Sequence, residues 1–427
     1  MKTLNSNSKN FNKVIDKLLL SRRKKVKSNS VSVTKIINEV KKNGDKALLK
    51  FEKKFNQNNK IIPNYKRVFK SIKSLDKKVK RAIDLAYNRI LKFHSLQKFK
   101  DITYVDKLKN KIYYKYVPIE SVAIYVPGST VSYPSSVLMN AIPAIVAGVK
   151  RIVMINPGHK GKQDPAVLYA AQKCKIKEIY SIGGPSAIAA VTYGTKKIKK
   201  VNKIVGPGNA YVAAAKKEVF GDVGIEGMTA GPSEITIVSD KFSNPAWIAS
   251  DLIGQAEHDI LAQCILISKD KRLIKKVKLE IFNQLKQLPR SSIAKKSLIN
   301  NGILINVNSD KKIIDLINKI APEHLELNIR NYNSLIPKIK NSGSICLGKY
   351  AVMAMTDYNV GSNHILPTNG SAKYSSGISV NEFYKRISYI NLSKKGIESL
   401  GPSVITLANY EGLAGHAQSV KKRIRRK

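Results

Sequence analysis

The spacing of apolar residues along this chain changes from a helical repeat to short buried runs. Val33, Ile36, Ile37 and Val40 follow the i, i+3, i+4, i+7 spacing of a helix with one buried face. Farther along, short apolar runs alternate with helical stretches, and each of the first four runs stops at a turn that contains glycine. Strands that alternate with helices in this way predict a parallel sheet covered on both faces. The four runs are residues 121–126, 151–155, 179–182 and 203–205.

A second series of apolar runs predicts another α/β unit after residue 234. Strands are expected at residues 235–238, 264–267 and 302–305, and Ser309 is expected to cap the next helix. The whole pattern predicts an α/β fold with two incomplete Rossmann-like parallel-sheet domains and small helical N- and C-terminal tail domains. The expected domains are an N-terminal helical arm at 1–22, a first α/β domain at 23–124 and 235–378, a second at 125–234, and a C-terminal tail domain at 379–427.

The turns after the first four strands are rich in glycine and proline, so the backbone there can approach a bound molecule closely. Ligands of open parallel sheets bind beyond the carboxyl ends of the strands, where a helix N-terminus favours phosphate. A dinucleotide fits this arrangement. The pattern G-x-G-x-x-G is nevertheless absent, because the run that starts at Gly206 has Tyr211 at the third glycine position. Two tight turns without a nucleotide explain the segment equally well.

The chain is strongly basic, with 76 Lys and Arg residues against 29 Asp and Glu residues and a formal net charge of +47. Such a charge alone indicates a nucleic-acid or anionic-membrane partner. The basic residues are spread over the whole chain, however, and no RNA-binding aromatic motif or zinc-finger spacing accompanies them. No apolar run approaches the roughly 18 residues that a membrane span needs. We expect neither partner, and nucleic-acid binding is the weak alternative.

Three cysteines, Cys174, Cys264 and Cys346, are far apart in the sequence and form no C-x-x-C pair. This spacing argues against a disulfide framework and against a cysteine-type zinc site. Each cysteine lies in an apolar stretch, where a buried thiol is expected. We expect a cytoplasmic protein, because unpaired cysteines are typical of reducing compartments.

Four of the six histidines lie beyond residue 250, and each has a carboxylate close to it in the sequence. Neutral imidazole is the commonest metal ligand, and it is suited to proton transfer near neutral pH. The distribution therefore indicates a metal-assisted active site assembled from distant segments. The four residues are His258, His324, His364 and His416.

Two of the histidine segments could each supply part of a metal site. Gln255 precedes His258 by three residues on a predicted helix, so both lie on one face. Asp357 and His364 share one loop. With His416 added, Gln255, His258 and Asp357 would form a nitrogen and oxygen ligand set of the kind found in catalytic zinc sites, although residue chemistry alone would not select the amide of Gln255. Taken alone, His258 could be a surface residue, and Asp357 could hold an Asx turn.

Glu323 and His324 form a natural acid/base combination. Adjacent side chains of an extended strand point to opposite faces, so both serve one site only where the chain bends. Pro322 makes such a bend reasonable. The alternative is a surface pair that precedes the strand containing Leu325 and Leu327.

Taken together, these segments resemble the zinc-dependent histidinol dehydrogenases, in the same order and over nearly the whole chain. Two positions depart from the family pattern. Ser186 stands where the family has a glutamine that contacts NAD, and Thr356 stands where glycine commonly precedes the aspartate ligand. The segments that carry the resemblance are 204–212, 230–234, 250–259, 321–326, 357–368, 375–380 and 411–416.

The resemblance implies one Zn²⁺ per subunit, bound by Gln255, His258, Asp357 and His416. It implies a homodimer in which the C-terminal tail domain brings His416 and Glu411 to the site of the partner subunit. The first α/β domain would carry the other zinc ligands and the acid/base residues Glu323 and His324.

The resemblance also implies contacts to substrate and cofactor. NAD would contact the second α/β domain at Tyr125 and Asn209, with Ser186 in place of the usual glutamine. The residues expected to bind L-histidinol are Ser233, Gln255, His258, His324, Asp357, Glu411 and His416.

The implied reaction is the oxidation of L-histidinol to L-histidine through L-histidinaldehyde, in two NAD-linked hydride transfers that complete histidine biosynthesis. The alternative is a paralogous zinc and NAD dehydrogenase that acts on another small alcohol, such as a dihydroxypropane sulfonate. The segment from Tyr374 to Val380 favours the histidine pathway, since those paralogues differ after the preceding Asn-His-x-Leu-Pro-Thr stretch.

Overall fold

The structure, a computed structural model, describes residues 1–24, 30–128, 132–227 and 231–424. These residues form two compact units. The first combines Met1–Gln97 with Glu120–Glu382, and the second combines Lys98–Ile119 with Phe383–Lys427. Ala230, part of one motif named above, and the last three basic residues of the chain lie outside the described residues.

Two parallel sheets form the framework of the first unit. In the described residues, one sheet has six strands in the order β1-β11-β10-β9-β12-β13, and the other has five in the order β6-β5-β4-β7-β8. The six are β1 (Lys2–Asn5), β9 (Glu234–Ser239), β10 (Gln263–Ser268), β11 (Ile303–Asn306), β12 (His324–Asn328) and β13 (Ser344–Leu347). The five are β4 (Ser121–Tyr125), β5 (Arg151–Ile155), β6 (Glu178–Tyr180), β7 (Lys203–Val205) and β8 (Gly224–Ile225).

Helices cover these sheets, and many begin at a side chain that accepts a backbone N–H. Ser309 caps its helix as expected, by accepting a hydrogen bond from the N–H of Lys312. The helices of the first unit are α1 (Phe11–Lys24), α2 (Ser30–Asn56), α3 (Tyr65–Lys73), α4 (Lys77–Ser95), α5 (Pro134–Ala147), α6 (Pro165–Lys173), α7 (Gly184–Tyr193), α8 (Ala210–Glu218), α9 (Pro245–Ala256), α10 (Lys271–Leu285), α11 (Ser291–Asn301), α12 (Asp310–Ile320) and α13 (Met353–Tyr358).

The alternation of side chains along the six-stranded sheet builds two separate cores. Ile235 and Ile237 of β9 pack with α9 and α10 on one face. Leu325 and Leu327 of β12 pack with α12 and with Phe11 and Ile15 of α1 on the other. Because successive residues of a strand point to opposite faces, His324 and Glu326 belong to the face that carries α9.

The second unit contains a sheet that the sequence pattern did not predict. Its described strands are β2 (Ile102–Val105), β3 (Lys111–Pro118) and β14 (Tyr384–Asn391), all antiparallel, in the order β14-β3-β2. The helices are α14 (Lys394–Tyr410) and α15 (Ala414–Ile424). The prediction of a helical C-terminal tail is therefore incomplete, because β14 finds its partner in a distant part of the chain.

Two further differences concern the N-terminal residues. Residues 2–5, within the expected helical arm, form β1 and pair in parallel with β11. Helix α2, expected in the same domain as residues 235–378, packs instead in the core of the five-stranded sheet, where Val33 and Leu48 meet Ile188. The helical repeat locates a buried face but does not identify the sheet that covers it.

The prediction of two parallel sheets in an α/β fold is confirmed. Each strand expected in the two series is present, with ends that differ from the prediction by at most two residues. Among the helices of the described ranges, none combines the length and the apolar character needed to cross a membrane.

Candidate active site

A cleft with a volume of about 530 Å³ is lined by residues from both parallel sheets of the first unit. The five-stranded sheet contributes the turns after β4 and β7, including Pro127 and Pro207. The six-stranded sheet contributes the amino ends of β9, β10 and β12, including Ser233, Gln263 and His324. The volume suits a small-molecule site. The crevice expected at strand carboxyl ends is thus present at one sheet, whereas the other sheet presents the opposite ends of its strands.

Glu323 and His324 lie side by side in this cleft. Helix α12 ends at Ala321, whose φ of 49° is left-handed, and the chain bends at Glu323 before β12 begins at His324. The Nε2 atom of His324 is 3.9 Å from Oε1 of Glu323 and 3.8 Å from Oδ1 of Asp357. The bend that Pro322 makes possible is therefore present, and both side chains line one cavity.

Burial controls the protonation of this pair. Desolvation, with smaller effects from the charges of His364 and His258, lowers the pKa of His324 to about 3. Burial raises the pKa of Glu323 well above its usual value. The N–H of Glu234 opposes this by donating to Oε2 of Glu323 at 2.8 Å, while the charges of Glu234 and Asp357 add to the rise. A neutral imidazole thus lies beside a carboxyl group that retains its proton readily, which is an acid/base arrangement.

The expected metal ligands of the first unit share the same cleft. Gln255 is in the last turn of α9, His258 follows that helix, and Asp357 belongs to α13. Oε1 of Gln255 and Oδ1 of Asp357 are buried, and no group of the described residues donates a hydrogen bond to either. Buried acceptors normally have a partner, so two such oxygens beside an imidazole fit a bound cation such as zinc.

The pKa values of Asp357 and His258 are shifted, because surrounding protein atoms desolvate both side chains. Burial raises the pKa of Asp357 to about 7. His258 is exposed to the open cleft, yet surrounding protein atoms desolvate its ring. This desolvation lowers the pKa of His258, the charge of Glu257 opposes the effect, and that of Arg290 reinforces it. Neutral imidazole is the form that binds a metal ion.

No group of three His, Cys, Asp or Glu side chains in the described parts of the chain is arranged to hold a metal ion. The expected ligand set has only His258 and Asp357 of these types in the first unit, because its third member is the amide Gln255. Glu411 and His416 belong to the second unit. Glu411 caps α14, His416 lies in the first turn of α15, and both are exposed. Their role stays a prediction.

The three residues expected to contact NAD have different surroundings. Asn209 lines the cleft, and its Oδ1 caps α8 by accepting hydrogen bonds from the N–H groups of Tyr211 and Val212 at 3.1 Å each. Tyr125 is buried at the end of β4, and its hydroxyl accepts a hydrogen bond from the N–H of Gly184 at 3.1 Å.

Ser186 is buried at the beginning of α7, where its hydroxyl is 3.1 Å from the carbonyl oxygen of Gly183 and 3.4 Å from Oε1 of Glu52. Glu52 also accepts a hydrogen bond from the N–H of Gly183 at 2.9 Å. The carboxylate of Glu52 therefore occupies the positive end of this helix. Neither Ser186 nor Tyr125 lines the cleft, and their NAD contacts stay predictions.

The turn after β7 depends on Gly206 and Lys216. Gly206 has a φ of +104°, and a Cβ atom there would lie 2.4 Å from the carbonyl oxygen of Tyr125. Lys216 is buried, and its Nζ donates to the carbonyl oxygens of Gly206 at 2.5 Å and Glu226 at 3.2 Å. These contacts fix the segment that presents Asn209 to the cleft.

Several lining residues were not selected from the sequence as site residues. His364 is the clearest, because the sequence grouped it with Asp357 as part of a possible metal site but left it out of the expected ligand set. Its Nδ1 lies 2.8 Å from the carbonyl oxygen of Asp357 and its Nε2 lies 3.4 Å from Oγ of Ser136. Burial lowers its pKa to about 4. Glu234 could have been found beside Ser233 in its motif, whereas Ser136 and Tyr133 carry no sequence signal of a site.

Comparison with known proteins identifies the family of this chain. The sequence profile of the histidinol dehydrogenase family matches residues 20–424. This chain belongs to the histidinol dehydrogenase family. The family consists of NAD-dependent oxidoreductases of histidine biosynthesis that use zinc.

Individual family members agree over almost the whole length. The chain is 79% identical to the histidinol dehydrogenase of Pelagibacter ubique (strain HTCC1062), covering 100% of both chains. It is 45% identical over 397 residues to that of Brucella abortus (strain 2308), covering 92% of each. The crystal structure of histidinol dehydrogenase from Elizabethkingia anophelis superposes with a TM-score of 0.90 at 36% identity, covering 99% of this chain and 98% of the other. The expected family and fold are confirmed, and nothing in these relatives supports the alternative substrate.

Proposed function

We propose that this histidinol dehydrogenase family member oxidises L-histidinol to L-histidine through L-histidinaldehyde in two successive NAD-linked hydride transfers. The observation that carries the proposal is the position of Nε2 of His324, 3.9 Å from Glu323 and 3.8 Å from Asp357, inside one cleft. One L-histidinol, two NAD⁺ and one water give one L-histidine, two NADH and three protons. The chain must therefore move protons at two oxidation states of the same carbon.

Zinc would be held by Gln255, His258 and Asp357 of one subunit and by His416 of its partner, one ion per subunit. The unpaired oxygens of Gln255 and Asp357 support this set, because an ion would satisfy both. When bound, zinc supplies a positive centre that orients the substrate. The side chains proposed to contact L-histidinol are these four ligands with Ser233, His324 and Glu411.

His324 is the proposed base of both oxidation steps. Burial keeps its ring neutral, so Nε2 can accept the proton of the substrate hydroxyl as the carbon loses hydride. Nδ1 of His324 is buried without a hydrogen-bond partner in the described residues. Packing at the start of β12 thus holds the His324 ring, and no carboxylate of the described residues is hydrogen-bonded to its Nδ1.

Glu323 is the proposed residue that activates water for the second oxidation. Its elevated pKa brings the carboxyl group closer to the operating pH, where an acid/base residue works best. The hydrogen bond from the N–H of Glu234 fixes Oε2 and leaves Oε1 on the side of His324. Water that adds to the aldehyde gives a gem-diol, whose hydroxyl proton His324 then accepts. Retention of the aldehyde in the cleft protects a reactive intermediate.

NAD supplies the hydride acceptor when bound, and Asn209, Tyr125 and Ser186 are its proposed contacts. Asn209 has the best support, because it lines the cleft beside the start of α8. We further propose a homodimer, in which Glu411 and His416 reach the partner, and a cytoplasmic location. The location is supported by Cys174, Cys264 and Cys346, which are buried free thiols.

The decisive experiment is the stoichiometry of NADH formation with purified zinc-loaded enzyme. Two NADH per L-histidinol consumed, with L-histidine as the product, is the expected result. A parallel assay with a dihydroxypropane sulfonate serves as the control for substrate class. One NADH per substrate with release of the aldehyde, or turnover of the diol but not of L-histidinol, would overturn the proposal.

A further inference from the structure

Two acidic residues meet behind the cleft, inside the first unit. Asp251 lies on α9, Glu326 lies on β12, and their carboxyl groups are close enough to share a hydrogen bond if one of them is protonated. Glu326 is 1% exposed, and its Oε1 accepts a hydrogen bond from the N–H of Met353 at 2.7 Å. Met353 is the first residue of α13. One carboxyl group therefore joins a strand to two different helices.

A proton shared by the two groups would hold this pair together. Oδ2 of Asp251 and Oε2 of Glu326 are buried, and no group outside the pair donates a hydrogen bond to either in the part of the chain that the structure describes. Two carboxylates in that position would repel each other, whereas one proton between them satisfies both oxygens. Burial raises the pKa of both carboxyl groups, and the charge of Asp251 adds to the rise at Glu326, in agreement with a shared proton.

Asp251, Glu326 and Met353, the three residues joined by these contacts, lie close in the sequence to residues that line the cleft. Gln255 follows Asp251 by one helical turn on α9, and Asp357 follows Met353 by one turn on α13. Residues four apart lie on the same face of a helix. His324 precedes Glu326 by two residues on β12, so both side chains lie on the same face of the sheet. Helices α9 and α13 and strand β12 thus each carry one proposed site residue close to the residue that makes these contacts.

We propose that Asp251 and Glu326 form a proton-sharing carboxyl pair that positions Gln255, Asp357 and His324 relative to one another. The inference rests on the proposed function, since it assigns these three residues to zinc and to proton transfer. Asp251 and Glu326 are positioning residues, because neither lines the cleft. Outer residues that orient metal ligands typically change metal affinity by about 10- to 100-fold when they are replaced.

The test is zinc affinity, measured on metal-free full-length protein by competition with a chromophoric chelator in the absence of substrate. Glu326→Leu removes the acceptor for Met353 and the partner of Asp251, so zinc binding should weaken by about 10- to 100-fold. Glu326→Gln retains both contacts, because its amide donates to Asp251 and its oxygen accepts from Met353. This variant should bind zinc as the unmodified protein does.

Two further variants separate positioning from general loss of stability. Asp251→Ala, at a partly exposed position that is less at risk of misfolding, should also weaken zinc binding. Ser268→Ala removes a buried 2.8 Å hydrogen bond to the carbonyl oxygen of Ser239 at the carboxyl ends of β10 and β9, away from the cleft. It should lower the melting temperature and leave zinc affinity unchanged.

The outcomes are distinct from those that test the proposed function. If the unmodified protein binds no zinc, the proposed metal site itself is wrong. Normal zinc binding by the unmodified protein together with equal affinity in folded Glu326→Leu or Asp251→Ala would overturn the positioning role alone. If Glu326→Gln binds zinc as weakly as Glu326→Leu does, the proposal of a shared proton is wrong.

Discussion

Oε1 of Glu323 lies 3.9 Å from Nε2 of His324, although neighbours in an extended chain normally point to opposite faces. The bend at Glu323 removes this restriction and places an acid and a base around one reacting position. In the proposed mechanism His324 acts in both oxidations and Glu323 acts only in the second, because only the second oxidation needs water.

Replacement of Glu323 by glutamine should separate the two oxidations. Glu323→Gln keeps the acceptor for the N–H of Glu234 but cannot take a proton from water. We expect alcohol oxidation to continue and aldehyde oxidation to fall by about 10²- to 10⁴-fold. NADH formation from L-histidinol and from supplied L-histidinaldehyde should be measured separately. Equal losses with both substrates would contradict the assignment.

Replacement of His324 by alanine should affect both steps. His324→Ala removes the neutral imidazole that accepts a proton each time hydride leaves, so each oxidation should slow by about 10²- to 10⁴-fold. Substrate affinity and the melting temperature should be measured alongside the rates, because the ring is also buried. A folded variant that still oxidises the aldehyde at the normal rate would show that another group is the base.

Mixed dimers test whether His416 acts across the subunit interface. His416→Ala and Asp357→Ala homodimers should both be inactive. When the two chains are unfolded together and refolded, a mixed dimer has one site with both intact residues and one site with neither. Each mixed dimer should therefore have one active site, so the refolded mixture should regain part of the activity. No recovery in verified mixed dimers would indicate that each chain supplies its own His416.

Removal of metal should abolish activity reversibly. Exhaustive treatment with EDTA leaves the buried oxygens of Gln255 and Asp357 without the cation that satisfies them. We expect Zn²⁺ to restore turnover and Mg²⁺ to fail, because a site with imidazole ligands suits zinc and Mg²⁺ prefers oxygen ligands. Metal content and rate should be followed together. Unchanged rates in protein free of metal would rule out the site.

The buried carboxyl group of Glu52 should make stability depend on pH. Burial raises the pKa of Glu52 from 4.5 to about 7, against hydrogen bonds from Gly183, Asn56 and Ser186. Between these values the folded chain binds more protons than the unfolded chain. The contribution of Glu52 to stability is therefore fully present below about pH 4.5 and is lost as pH rises to about 7, by about 3 kcal/mol.

Denaturation at several pH values from 4.5 to 8 should reveal this contribution as a difference between variants. Glu52→Gln should remove that part of the slope, because its amide does not titrate. Ser186→Ala loses a neighbouring hydroxyl but keeps the titrating group, so it should retain the slope. Parallel pH profiles for Glu52→Gln and the unmodified protein would contradict the prediction.

The sequence was sufficient for those parts of the fold whose signals are local. The apolar runs at 121–126 and 235–238 predicted strands because buried parallel strands are uninterruptedly apolar. It was insufficient for β14, whose residues are mostly exposed and form no buried face and whose partner β3 lies far away in the chain. The sheet that α2 covers is likewise decided by tertiary packing.

For the candidate site too, the sequence alone was sufficient for some residues and insufficient for others. Residue chemistry selected His258, His324 and Asp357, because imidazole and carboxylate groups recur in catalytic sites. The amide of Gln255 was assigned only through the family resemblance, since amides are rarely zinc ligands. The pairing of Asp251 with Glu326 has no sequence signature, because it depends on how α9 lies against β12. Ser186 shows the limit of transfer from a family, since its hydroxyl is engaged with Glu52.

The pairing of Tyr384 with Pro118 and of Asn391 with Lys111 has a consequence for biosynthesis of the protein. Strands β2 and β3 leave the ribosome long before β14 exists, so the emerging hairpin keeps one edge of β3 open. Contacts between such distant segments form slowly, and an open edge during that delay invites association with other chains. A nascent chain interrupted before Tyr384 would retain that open edge and should aggregate.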